Sequence, residues 1–71
     1  MRAKFRCDSI TEYGSHKEAK LFAVAGNSPE NNQFAEATPA GELTIMIDKK
    51  AEANDFLEVG KEYYLDFYEA E

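Results

Sequence analysis

Between Gly41 and Phe67 the hydrophobic period changes twice, and this limits the chain to a small set of folds. In the run GELTIMID, Leu43, Ile45 and Ile47 alternate with Glu42, Thr44, Met46 and Asp48. Alternation at every second residue marks a strand with one face turned to an interior. The β-branched Ile and Thr suit a pleated backbone. Asp48 stands where its carboxylate can accept from the first amides of a helix. Over Lys49–Leu57 the apolar residues Ala53, Phe56 and Leu57 fall three and four apart, which predicts a short helix covering the sheet. At about two turns such a helix holds only by packing. Gly60 supplies the freedom to turn out of it. From Lys61 the alternation returns, with Tyr63, Leu65 and Phe67 on one face and Glu62, Tyr64, Asp66 and Tyr68 on the other.

The amino-terminal third repeats the strand pattern. In residues 3–13, Phe5 and Cys7 alternate with Lys4, Arg6 and Asp8, but Ile10 falls out of phase. That predicts either a bulge near Asp8–Ser9 or a second packed face. Gly14-Ser15-His16-Lys17 reads as a turn. Residues 18–25 resume as a strand, with Leu21 and Ala23 on one side and Phe22 and Val24 on the other. Apolar residues on both sides point to a central strand, paired with the first as an antiparallel hairpin. Residues 26–41 are irregular and hold both prolines and three asparagines. A loop this long is often functional. Phe34 within it reads as an anchor onto the core or as a contact for a partner, and 33–38 as a short extra strand. The expected fold class is mainly β: one domain over 1–71, a small curled antiparallel sheet or OB-like barrel of four to five strands. One short helix is placed before the last strand.

At 71 residues the chain has room for a modest core, and small scaffolds usually need a staple. Cys7 is the one cysteine, so an internal disulfide is impossible. No His/Cys cluster suggests a structural metal. The nine aromatics supply buried area instead, and together these features raise the expectation of a homo-oligomer. The net charge of −6, from 14 acids and 8 bases, disfavours binding to phosphate backbones and to anionic membranes. No apolar run approaches membrane-spanning length, and MRAKFRCDS lacks the apolar core of a signal peptide. Synthesis in the cytosol is expected.

Catalysis is not expected. Cys7 lies on the apolar phase of a strand, where a thiol behaves as a small hydrophobe. His16, the only histidine, falls in a turn. Two carboxylates can always be chosen from 14, so their pairing carries no information. Glu52, Asp55 and Glu58 are spaced to share one helix side, but a polar face explains them better than a cation site. No cofactor is implied. Arg2, Lys4, Arg6, Lys17 and Lys20 gather in the first third and would make a mildly basic patch. Tyr64 and Tyr68 could stack on bases, but Glu62, Asp66 and Glu69 beside them would repel phosphates. The better reading of Tyr64, Tyr68 and Asp66, with Phe34, is a protein interface, where tyrosine is favoured for its rigid ring and polar tip.

Three segments, MRAKFRCDSITEY, ATPAGELTIMID and GKEYYLDFYEAE, carry a resemblance over most of the chain. It resembles short proteins encoded by tailed bacteriophages and prophages. The resemblance implies phage origin and a small accessory role, in the host cytoplasm during infection or in the virion. It transfers no activity and no functional residues. The leading expectation is an oligomeric decoration or structural component of the particle, whose partner is itself or a phage or host protein. The alternative is an intracellular factor that inhibits host defence by sequestering a nucleotide signal or mimicking DNA, or an OB-like protein that binds single-stranded nucleic acid.

Overall fold

The structure is a computed structural model and describes residues 1–25, 29, 31, 40–51 and 55–71. Four strands run β1 Arg2–Glu12, β2 His16–Ala23, β3 Glu42–Asp48 and β4 Glu62–Asp66. They form one antiparallel sheet in the order β3-β2-β1-β4, curled into a half-barrel. The fold is therefore mainly β, and β2 is internal, as its two apolar faces require. The expected short strand over 33–38 lies outside the described residues. Of the expected helix over 49–57, residues 52–54 also lie outside them, and the flanking chain runs in turns.

β1 and β2 form the hairpin, closed by a bond from Tyr13 N–H to the His16 carbonyl at 2.8 Å. The turn is tighter than its residues suggest, because His16 and Lys17 already belong to β2. The register shifts between Cys7 and Ser9, which is the bulge that Ile10 calls for. Before the shift Ala3, Phe5 and Cys7 face inward, and after it Ile10 does. An extra residue in one strand inverts the phase of all that follows. Without it Ile10 would stand in water.

The concave face holds the core: Ala3, Phe5, Cys7, Ala19 and Leu21 are buried on β1 and β2, with Ile47 on β3. Leu43, Tyr63 and Leu65 pack against this cluster from the outer strands. Gly41 enters β3 where any Cβ would come within 3.1 Å of the Phe5 ring. Two residues expected inside are not: Ile45 is 40% exposed and Phe67 is 54% exposed. The cause is the half-barrel itself. Among the described strands only β1 and β2 have a neighbour on each side, so side chains of β3 and β4 look across an open mouth. That mouth is a groove of about 300 Å³ lined by Leu43, Ile45, Phe56, Leu57, Tyr63 and Leu65.

Candidate protein interface

The convex face of β1 and β4 carries the residues singled out from the sequence. The ladder sets Arg2 opposite Asp66, Lys4 opposite Tyr64 and Arg6 opposite Glu62. Cross-strand neighbours on one face lie close enough for side-chain pairing. The Arg2 guanidinium donates to both Asp66 carboxylate oxygens, at 2.7 Å from Nε and 3.2 Å from Nη2. Arg6 Nη2 donates to Glu62 at 2.9 Å, and Lys4 Nζ lies 3.9 Å from the same carboxylate. The Arg2 bond, foremost, holds the Asp66 carboxyl below the usual carboxylate range, opposed by its partial desolvation. The same bond raises the Arg2 guanidinium.

Tyr64 sits among these charges. Arg2 stands 4.8 Å from its ring centroid and Lys4 5.3 Å. A cation over a tyrosine face is attracted by the ring quadrupole. The ring therefore serves as a platform for two β1 cations while its remaining surface stays exposed. The strand-by-strand reading divided this face into an acidic carboxyl-terminal surface and a basic amino-terminal hairpin. Antiparallel pairing interleaves them, so the patch is mixed in sign and Glu62 and Asp66 are compensated. Lys17 belongs elsewhere, 3.4 Å from Asp55. Tyr68 lies just past β4 and is 87% exposed. Phe34 lies outside the described residues. Three of the four proposed contact residues, Tyr64, Asp66 and Tyr68, are thus brought to one end of β4.

Cys7 is in the core, where burial, with a smaller push from Asp8, raises its thiol above the ordinary value. His16 stacks on Tyr13 with centroids 4.8 Å apart, and its Nδ1 lies 3.3 Å from Ser15 Oγ. Asp55 and Glu58 are each paired with a lysine, and Glu52 lies outside the described residues. Among the described residues no group of three His, Cys, Asp or Glu is placed to hold a metal ion. No helix there is long and apolar enough to cross a membrane.

One structurally important residue is invisible to the sequence reading. Asn31 is fully buried, and its side chain makes three bonds. Its Oδ1 accepts from Lys4 N–H at 2.7 Å, and its Nδ2 donates to the carbonyls of Lys4 at 2.9 Å and Val24 at 2.8 Å. The amide imitates a peptide unit where β2 peels away from β1. Nothing in the composition of 26–41 distinguishes it from Asn27 and Asn32. Tyr63 plays a similar part on the far side: its hydroxyl accepts from Glu58 N–H at 2.8 Å and donates to the Phe56 carbonyl at 3.1 Å.

Compared with known proteins, the chain matches no family model, no curated protein and no solved structure.

Proposed function

We propose that this chain is a non-enzymatic accessory protein of a tailed bacteriophage, an oligomeric component of the particle that works through protein–protein contacts. The observation that carries the reading is the cluster of aromatic surface at the end of β4. Tyr64 and Tyr68 share the convex phase of the chain there and are both exposed; Phe67, on the opposite phase, is exposed on the concave side. Exposed tyrosines on a small protein are favoured contact residues. Aromatic residues beside satisfied ion pairs are the usual composition of an interaction site. The likeness of the chain's two ends to phage-encoded proteins supplies the biological setting. Mimicry of DNA draws less support, because it needs a run of uncompensated acids, and Glu62 and Asp66 are each matched by an arginine.

Mass analysis of purified particles tests the assignment to the virion, where the protein should appear at fixed stoichiometry. Its absence from particles retires that assignment. Tyr64→Ser with Tyr68→Ser should weaken association with the particle while leaving the fold intact by circular dichroism. Unchanged association removes the tyrosine face from the account.

A further inference from the structure

We infer that β3 is the seam of a symmetric dimer, pairing antiparallel with β3 of a second copy in the register that sets Met46 against Met46. This rests on the oligomeric reading above and names the surface that serves it, distinct from the tyrosine face.

The backbone leads there first. Ala23 N–H donates to the Gly41 carbonyl and Lys49 N–H to the Ser15 carbonyl, so odd-numbered residues of β3 bond to β2. By the alternation of an antiparallel ladder, Glu42, Thr44 and Met46 turn their N–H and C=O groups outward, while the Asp48 carbonyl is already taken by Ala51 N–H at 2.9 Å. Among the described residues β3 ends the sheet on that side. Natural edges are usually blunted by lysine, proline or a bulge. ELTIMID contains no lysine or proline, its pairing with β2 is regular, and Met46 within it is 53% exposed.

Charge then selects the register. A two-fold axis through Ile45 would set Glu42 against Asp48 of the other copy, twice. An axis through Thr44 sets Glu42 against Met46 and brings no opposite charges together. An axis through Met46 sets Ile45 against Ile47 on the concave side and brings Glu42, at both ends, opposite the turn that follows β3, where the long Lys50 side chain can reach it. Glu42 and Lys50 take part in none of the ion pairs among the described residues, so both are available for this pairing. The match also continues the concave apolar face from one copy into the next.

The thinness of the core argues for a second copy as the occupant. Among the described residues six hydrophobic residues are buried, two of them alanine, and the single cysteine leaves no disulfide to reinforce them. Support of that kind is needed wherever the chain folds, and another copy is the partner present at every synthesis.

Sedimentation velocity on the full chain and three variants tests this. Wild type should sediment as a dimer at micromolar concentration. Met46→Pro removes an outward N–H and should leave folded monomers by circular dichroism. Glu42→Lys should weaken the dimer by roughly tenfold or more, and Glu42→Lys with Lys50→Glu should recover it. A folded Met46→Pro that sediments as wild type overturns the seam. So does a double variant no tighter than Glu42→Lys, which decides the matter even where the proline variant fails to fold. A wild-type dimer indifferent to all three changes ends this inference and leaves the oligomeric reading standing. A wild-type monomer at every concentration ends both.

Discussion

Asn31 shows how much of a small fold can hang on one side chain. Its amide satisfies both backbone groups of Lys4 and the carbonyl of Val24 from a fully buried position. Asn31→Ala removes three bonds and leaves Lys4 N–H without this acceptor, which should cost about 2–4 kcal/mol in chemical denaturation. Asn31→Asp should be at least as harmful at neutral pH, because a carboxylate cannot donate to two carbonyls. A loss under about 0.5 kcal/mol in both variants would show that the amide is not what holds residue 31 in place. Asp66 offers a smaller test of the convex face. Its carboxyl is held below the usual range chiefly by the Arg2 bond, so the unfolded chain takes up the proton more readily. The contribution is fully present above the ordinary carboxylate range and is lost as pH falls through the folded-state value. Wild type should therefore exceed Asp66→Asn slightly in Tm at neutral pH, and the gap should close as the solution is acidified and also in high salt. These residues differ in legibility. Asp66 and Tyr64 are visible as the polar phase of a strand, but their cationic partners lie more than fifty residues away and emerge only from the register. Asn31 is hidden because any of three loop asparagines could imitate a peptide.

At the level of elements, periodicity was a good guide wherever a strand had one apolar face. The misfit of Ile10 located the bulge, and the two-sided apolarity of Leu21–Phe22–Ala23 located the internal strand. Alternation says which face looks inward but not whether anything covers it, which is why Ile45 and Phe67 were expected inside. The helical spacing of Ala53, Phe56 and Leu57 has a competing explanation in Tyr63. Its ring packs 5.6 Å from Phe56, and its hydroxyl ties down the backbone of 56 and 58. Gly60 completes that passage with a φ of +91°, the turn its sequence position suggested. L-residues pay about 1–2 kcal/mol in that region. Gly60→Ala should lose stability of that order. Gly14→Ala should change it by less than about 0.5 kcal/mol, since a Cβ there meets nothing within 4 Å and its φ is not positive. Equal losses at both glycines, measured by urea unfolding, would contradict the turn geometry.

For the whole molecule the governing fact is thinness. The Cα trace spans 40 × 32 × 14 Å, with a radius of gyration of 13.3 Å. A compact chain of this length has a radius of about 11 Å. A single curled layer buries one face of two strands and half of two more, and its stability must then depend on what lies across the open side. If that is another copy, unfolding and dissociation are one event and the midpoint depends on concentration by mass action. For a dimer of two such chains, with about 0.7 kcal/mol of unfolding enthalpy per residue, a tenfold rise in concentration should raise Tm by roughly 5 °C. Differential scanning calorimetry across two decades of concentration measures this directly. A flat Tm would mean that the sheet is stable as a lone layer, and that its exposed apolar rim is kept for a partner encountered after folding.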